Sequence, residues 1–199
     1  MQREEPTLYI IEGDPDVLTG LHAFFEPHPI CVQHFTHPQA FLNAYEPDAP
    51  GCVIADLRMP DIDGPDLQDI LKEQASCLPL VFMVSLRDLP VSHSAMTGGV
   101  FAFLEKPLRR SLLLETIKAA FEYSQRIRPY AQLLNRLTVR EKEVFELLIE
   151  GHTNKVIAER LDIIDKTVEA HRSSIMRKTE SNSLANLIHI NNQLTMRSL

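Results

Sequence analysis

The sequence predicts an α/β domain built on a parallel sheet, followed by a small all-α domain. Apolar runs alternate with amphipathic stretches up to residue 123, and no strand-like run follows them. The charge also changes sign: residues 1–123 hold 8 Lys and Arg against 18 Asp and Glu, a balance of −10, whereas residues 124–199 hold 12 against 9, a balance of +3. These opposite charges favour a cation as the partner of the first domain and a polyanion as the partner of the second.

Five short runs rich in Val, Ile and Phe, bounded by proline, glycine or acidic turns, predict the strands. They are residues 7–11, 30–35, 51–55, 79–84 and 100–104. Amphipathic stretches predict helices at residues 16–25, 38–45, 65–75 and 108–123. Strands and helices that alternate at this spacing form right-handed βαβ units around a parallel sheet, and functional groups collect at the carboxyl ends of its strands.

Residues 124–136 predict a polar, partly helical linker that Pro129 interrupts. Four short helical patterns follow, at residues 138–150, 154–161, 165–178 and 183–193, with Ser183 as the N-cap of the last. The predicted organisation is therefore a first domain at residues 1–123, a linker at 124–136 and a second domain at 137–199.

The composition predicts a cytoplasmic protein without a membrane partner. No apolar run approaches the roughly 20 residues that span a bilayer, and the acidic start "MQREEP" lacks the features of a signal peptide. The three cysteines, Cys31, Cys52 and Cys77, are odd in number and have no CxxC spacing, which favours reduced thiols over disulfides or a zinc site.

Acidic side chains follow two of the predicted strands. Glu12 and Asp14 follow the first strand, and Asp56 ends the third. Carboxylates that meet at one sheet edge need a cation or a proton, and hard oxygen ligands favour Mg²⁺. Ser85 follows the fourth strand and Lys106 the fifth, so that a hydroxyl and an ammonium group complete a pocket suited to a phosphoryl group on a carboxylate.

Residues 6–123 resemble the receiver domain of two-component response regulators, through "DLRMPDIDG" around Asp56, through Ser85, and through "FLEKP" with Lys106 and the nearby Phe103. The resemblance implies a flavodoxin-like (βα)5 fold in which Asp56 accepts a phosphoryl group from a histidine kinase or a small phosphodonor. Ser85 and Lys106 would bind the phosphoryl oxygens, and Phe103 would turn inward.

Gly13 departs from the pattern of this family, in which two adjacent acids follow the first strand. The resemblance implies that Glu12, Asp56 and the backbone carbonyl of Arg58 bind Mg²⁺. Because the second acid is ordinarily a direct ligand, its loss predicts that Mg²⁺ binding is weakened or absent. Asp14 is either a substitute ligand or the N-cap of the first helix.

The carboxyl-terminal helices have helix-turn-helix spacing, since the short link "DIID" places residues 166–178 where they could enter a major groove. Through "LTVRE", "NKVIA" and "TVEAHR", residues 136–193 resemble the LuxR-type helix-turn-helix of NarL/FixJ response regulators. The resemblance assigns base contacts to Glu169, Ala170 and Ser173, and Glu169 could either accept from a cytosine amino group or merely repel phosphate and set the register. It assigns phosphate contacts to Asn154, Lys155, Lys166, Thr167, Arg172 and Lys178.

Two further features of the second domain carry expectations. Ile164 stands where the family commonly has a capping serine, so Asp165 is expected to cap the recognition helix instead. Leu184, Leu187 and Ile188 form an apolar stripe on the last helix, expected to be shared between packing on the domain and a homodimer contact.

These features predict a transcriptional regulator rather than an enzyme. Phosphorylation of Asp56 would shift a two-state equilibrium toward a homodimer that binds paired half-sites on double-stranded DNA. A second hypothesis is an atypical receiver whose control of DNA binding does not depend on phosphorylation. A remote third is a Mg²⁺-dependent phosphohydrolase with Asp56 as nucleophile. This hypothesis is disfavoured because Arg58 occupies the position where such an enzyme would have its general acid.

Overall fold

The computed structural model describes residues 5–74, 76–85 and 99–195. The chain divides into two compact units between Arg128 and Pro129, a division that falls inside the predicted linker. Within the described ranges, no helix has the length and the apolar composition needed to cross a membrane.

The first unit contains a parallel sheet of five strands in the order β2-β1-β3-β4-β5. The strands are β1 (Thr7–Ile11), β2 (Cys31–Phe35), β3 (Gly51–Asp56), β4 (Leu80–Val84) and β5 (Ala102–Glu105). The register pairs Ile11 with Ala55 and Asp56 with Met83, so the ends of the central strands lie side by side. The predicted parallel sheet and flavodoxin-like fold are confirmed.

Four helices of the described residues connect or follow these strands. They are α1 (Pro15–Phe25), α2 (Pro38–Ala44), α3 (Gly64–Glu73) and α4 (Arg110–Asn135). The first three each have a proline in the first turn, where the missing N–H would have no helical partner. Strands β3 and β4 are buried along almost their whole length, so the sheet forms the core on which the helices pack.

Helix α4 is longer than the sequence predicts. The expected helix ends at residue 123 and is followed by a linker that Pro129 interrupts, but the observed helix continues through Pro129 to Asn135. Tyr123, Ile127, Ala131 and Leu134 are buried at helical spacing along this segment. Burial of this apolar stripe offsets the hydrogen bond that Pro129 removes from the helix.

The second unit is helical, with α5 (Val139–Ile149), α6 (Asn154–Arg160), α7 (Asp165–Lys178) and α8 (Leu184–Thr195) following the end of α4. Its helices share a small core formed by fully or nearly fully buried side chains: Val144, Leu148, Ile157, Val168, Ile175 and Leu187.

The sequence predicts N-cap residues for two helices, and the observed helix starts can be compared with both. Ser183 Oγ accepts a hydrogen bond from the backbone N–H of Asn186 at 3.2 Å, so the predicted cap of α8 is confirmed. The expectation that Asp165 caps α7 is wrong. Ile164 is the N-cap residue and has no side-chain cap hydrogen bond, while Asp165 is already the first helical residue, placed where an acid favours the helix dipole.

Candidate functional site

The carboxyl edge of the sheet brings Glu12, Asp56 and Lys106 together. Glu12 follows β1, Asp56 ends β3, and Lys106 follows β5, so parallel strands deliver all three side chains to one edge. Lys106 Nζ donates to Glu12 Oε2 at 2.8 Å and to Asp56 Oδ2 at 2.7 Å. The predicted pocket therefore contains two carboxylates joined by one ammonium group.

The environment favours the charged form of Lys106. Its side chain is 24% exposed, against 4% for Glu12 and 22% for Asp56. Partial burial alone would lower the pKa of Lys106, but the hydrogen bonds to Asp56 and Glu12 outweigh burial and raise that pKa above its ordinary value. Lys106 therefore remains an ammonium at neutral pH and neutralises one of the two carboxylate charges.

The other oxygen of each carboxylate accepts a backbone hydrogen bond. Glu12 Oε1 accepts from Asp14 N–H at 3.0 Å, and Asp56 Oδ1 accepts from Arg58 N–H at 3.2 Å. The carboxylate of Asp14 itself caps helix α1, since Oδ1 accepts from the N–H groups of Asp16 at 2.9 Å and Val17 at 3.5 Å. Capping is thus the observed use of Asp14, and the sequence had left that alternative open.

Gly13 lies exposed between these acids and has room for a side chain. A Cβ built on Gly13 would have the carbonyl oxygen of Thr36 as its nearest neighbour, at 3.8 Å, an ordinary contact. In the described part of the chain, no group of three His, Cys, Asp or Glu side chains is arranged to hold a metal ion. Two carboxylates that share an ammonium fit Mg²⁺ less well than a site with a further acid.

Ser85 and Phe103 lie on the same sheet as Asp56. Ser85 is half-buried one residue beyond β4, at the carboxyl edge. Phe103 lies within β5, partly buried against the core, with its ring centroid 5.9 Å from that of Phe82. Glu12, Asp56, Ser85 and Lys106 therefore lie at the carboxyl ends of four neighbouring strands, β1, β3, β4 and β5, and Phe103 lies within the last of them.

The second unit presents a different surface on α6 and α7. Lys155 and Lys166 are exposed, as are Glu169, Ala170 and Ser173, whereas Thr167 is half-buried. Arg172 Nη1 donates to Asn154 Oδ1 at 2.8 Å, which ties α7 to the start of α6. Two residues predicted to contact phosphates therefore hydrogen-bond to each other in the free protein.

Lys178 makes a different contact from the one that the sequence predicts. Its ammonium donates to Glu141 Oε2 at 2.6 Å, and its side chain is 23% exposed. Glu141 also accepts from Ser174 Oγ at 2.6 Å and from Thr138 N–H at 2.7 Å. A buried carboxylate therefore holds the end of α7 against the start of α5.

Sequence reasoning missed Glu141. Burial alone would raise the pKa of Glu141, but hydrogen bonds from Lys178, Ser174 and Thr138 lower it to about 2. Two signals point to this residue. Thr138 and Glu141 have the spacing of a capping box, which the structure contains. Glu141 also lies on the same helical face as the buried Val144 and Leu148, and a buried carboxylate needs a hydrogen-bond partner inside the domain.

The apolar stripe on α8 is divided between the interior and the surface. Leu187 is 1% exposed, whereas Leu184 and Ile188 are 37% and 36% exposed. One member packs on the domain, and the other two face solvent.

Comparisons with known proteins agree with both halves of this description. The family model for the response regulator receiver domain matches residues 8–118, and the model for bacterial regulatory proteins of the luxR family matches residues 135–191. The response regulator protein TodT of Pseudomonas putida is 32% identical over 201 residues, which cover 98% of this chain and 88% of TodT. The transcriptional regulatory protein FixJ of Bradyrhizobium diazoefficiens is 33% identical over 190 residues, covering 92% of this chain and 93% of FixJ.

Solved structures give the same result. The low-resolution structure of the response regulator StyR matches with a TM-score of 0.59 and 34% identity, covering 95% of this chain and 99% of StyR. Full-length FixJ from B. japonicum matches with a TM-score of 0.57 and 32% identity, covering 96% of this chain and 98% of that one. The chain therefore belongs to the NarL/FixJ family of response regulators, and it is a DNA-binding transcriptional regulator with a receiver domain and a LuxR-type helix-turn-helix domain.

Proposed function

We propose that Asp56 is the phosphoryl acceptor of this regulator and that its modification controls DNA binding by α7. The observation that carries the proposal is the double ion pair of Lys106 with Glu12 and Asp56 at the carboxyl edge of the sheet. A fixed ammonium beside a carboxylate can stabilise the charge of a phosphoryl group on that carboxylate.

The chemistry is a group transfer without oxidation or reduction. A carboxylate oxygen of Asp56 forms a bond to phosphorus while the bond between phosphorus and the nitrogen of a kinase histidine breaks, and the electron pair stays on that nitrogen. Lys106 then pairs with one phosphoryl oxygen, and the Ser85 hydroxyl donates a hydrogen bond to another. Movement of Ser85 toward the phosphoryl group opens space for Phe103 to turn inward.

Receiver domains typically bind Mg²⁺ at the site of phosphorylation. In this chain, Glu12, Asp56 and the backbone carbonyl of Arg58 are the proposed ligands, and the ion would neutralise charge on the phosphoryl oxygens. We infer that binding is weak. The reasons are that Gly13 supplies no carboxylate, that Asp14 caps α1, and that the ammonium of Lys106 lies between the two remaining acids.

The proposed DNA surface follows α6 and α7. Phosphate contacts are proposed for Asn154, Lys155, Lys166, Thr167 and Arg172, and base contacts for Glu169, Ala170 and Ser173. We propose a structural role for Lys178 instead of a phosphate contact, because Glu141 neutralises its charge. The exposed Leu184 and Ile188 are the proposed homodimer contact, and the chromosomal partner implies a cytoplasmic location.

A second mode of control is favoured by the same pocket. Lys106 already supplies a cation to Glu12 and Asp56, so the pocket is charge-paired without any ion from solution. Control of DNA binding by a protein partner or by abundance would then replace phosphorylation. The two modes differ in whether a phosphoryl group on Asp56 changes DNA affinity.

Incubation of the full chain with acetyl phosphate tests both modes. We expect intact-mass measurements to show one phosphoryl group on the wild type and none on Asp56→Asn. A DNA duplex is first selected from a randomised pool by its binding to the full chain. We expect the modified protein to bind this duplex more tightly than the unmodified protein does. Equal phosphorylation of Asp56→Asn would contradict the acceptor assignment, and unchanged DNA affinity after full modification would favour phosphorylation-independent control.

The Arg172→Ala variant tests the DNA surface. We expect its affinity to fall roughly tenfold on every duplex and the salt dependence of binding to flatten by about one phosphate contact, because the phosphate contact proposed for the Arg172 guanidinium is lost. Fluorescence anisotropy over a range of salt concentrations measures both quantities. Ser173→Ala, an exposed change at the next residue, is the matched control and should leave the salt slope unaltered; an unaltered slope in Arg172→Ala would argue against α7 as the DNA contact.

A further inference from the structure

The middle of the exposed face of α7 carries no cation. Glu169, Ala170 and Ser173 are exposed there at helical spacing, with Lys166 before them and Arg177 after them. Arg172 lies beside these residues in sequence but donates to Asn154, and Lys178, at the end of the helix, donates to Glu141. We define Glu169, Ala170 and Ser173 as the reading face.

The polar groups of the reading face are acceptors. Ser173 Oγ donates its proton to the backbone carbonyl of Glu169 at 3.0 Å, which leaves its lone pairs as acceptors. The carboxylate of Glu169 can only accept when ionised, and it has no hydrogen bond or ion pair with any other residue that the structure describes. Ala170 adds only a methyl group. The reading face therefore offers acceptors and apolar surface but no donor.

The major groove offers few partners to such a face. Guanine presents N7 and O6 and thymine presents O4, all of which are acceptors that repel a carboxylate. Exocyclic amino groups occur on cytosine (N4) and adenine (N6), but adenine also places the acceptor N7 beside its amino group. A carboxylate therefore matches the cytosine edge better than any other.

The negative charge of the DNA phosphates increases the need for a hydrogen-bond donor opposite Glu169. An unpaired carboxylate that approaches a polyanion is repelled, so Glu169 weakens binding to every duplex unless a donor meets it. The exposed position also means that the fold does not need this carboxylate, because Glu169 makes no side-chain contact that holds helices together.

We propose that Glu169 selects cytosine at one base pair of the DNA site by accepting a hydrogen bond from the N4 amino group. Guanine and thymine present only acceptors to the carboxylate, and adenine presents its amino group beside the acceptor N7. The proposal rests on the proposed function, in which α7 enters the major groove. It assigns the base class that this regulator recognises, which the family membership alone leaves open.

The test begins with duplexes selected from a randomised pool by the full wild-type chain. Affinities are then measured for the selected site and for all single base-pair changes, with the wild type, Glu169→Gln and Glu169→Ala. We expect the wild type to favour cytosine over each other base at one position by roughly tenfold or more. Glu169→Gln should move the preference at that position to adenine, because an amide can accept from N6 and donate to N7. Glu169→Ala should lose discrimination at that position only.

A chemical probe separates the hydrogen bond from the shape of the base pair. N4-methylcytosine replaces the major-groove N–H by a methyl group, and it should weaken the wild type but not Glu169→Ala. If both Glu169 variants simply bind every duplex more tightly by one common factor, the glutamate acts by repulsion alone and the proposal is overturned while α7 keeps its place in the groove. A wild type that binds no duplex in the pool would overturn the proposed DNA surface as well.

Discussion

The Gly13→Asp variant is expected to bind Mg²⁺ at least roughly tenfold more tightly than the wild type, which is about 1.4 kcal/mol. At present the pocket combines the carboxylates of Glu12 and Asp56 with the ammonium of Lys106, leaving a single net negative charge. A further carboxylate doubles that charge. Opposite unit charges about 4 Å apart attract by on the order of 4 kcal/mol at an intermediate effective dielectric, so the tenfold figure already allows for desolvation of the new group.

The backbone at Gly13 accepts this change. The nearest atom to an added Cβ is Thr36 O at 3.8 Å, and Gly13 is not among the residues with positive φ. The variant should therefore fold like the wild type, and it should also take a phosphoryl group from acetyl phosphate at a lower Mg²⁺ concentration. A change in Mg²⁺ affinity can then be assigned to the carboxylate itself.

Calorimetric titration of Mg²⁺, together with amide chemical shifts of residues 12–14 and 56–58, measures the expected gain. Gly20→Asp is the matched control, since it adds the same charge on the open surface of α1, where a Cβ meets no atom within 4 Å. That control should titrate like the wild type. If the wild type already binds Mg²⁺ as tightly as Gly13→Asp, then the two carboxylates suffice and the missing acid does not limit the site.

The sequence predicts the location of this pocket but not its internal pairing. Apolar runs followed by Glu12, Asp56 and Lys106 mark three strand ends, and parallel strands must bring such ends to one edge. Whether Lys106 contacts one acid or both depends on distances of a few ångströms across the sheet. Local patterns carry no information on that scale, so the double ion pair becomes visible only in the structure.

Local sequence patterns also fail to predict the side-chain pairs of the second unit. The short link "DIID" between two helical patterns predicts a recognition helix, because helical periodicity is local. Lys178 nevertheless contacts Glu141, and Arg172 contacts Asn154, pairs separated by 37 and 18 residues along the chain. These pairs follow from how α5, α6 and α7 cross. The prediction that Pro129 interrupts the helix is wrong, because buried side chains on both sides of the proline keep α4 helical.

Glu141→Gln is expected to destabilise the second unit by on the order of 3 kcal/mol at neutral pH, more than a hundredfold in its folded-to-unfolded ratio. Glu141 is 4% exposed and accepts from Lys178, Ser174 and the backbone of Thr138. An amide keeps the shape of the side chain but removes its charge and turns one oxygen into a donor. The half-buried ammonium of Lys178 then loses its counter-charge.

The pKa of Glu141 gives this prediction a pH dependence. In the folded protein the pKa is lowered from 4.5 to about 2, so the unfolded chain binds the proton first as pH falls. The stabilisation is fully present above pH 4.5 and disappears as the pH drops toward about 2. The difference in free energy of unfolding between the wild type and Glu141→Gln should therefore be large at pH 7 and should shrink steadily below pH 4.5.

Hydrogen exchange of amides in α5 and α7 measures this difference, after correction for the pH dependence of intrinsic exchange. It reports on the second unit by itself, whereas a whole-molecule unfolding signal would mix the two compact units. Glu143→Gln is the matched control, because its carboxylate is 44% exposed and pairs with Arg140 on the same helix, an interaction worth at most about 0.5 kcal/mol. A loss in Glu141→Gln no larger than in Glu143→Gln would mean that the buried carboxylate does not hold α7 to α5. A loss that stayed constant down to pH 3 would mean that the hydrogen bonds stabilise the fold without the charge.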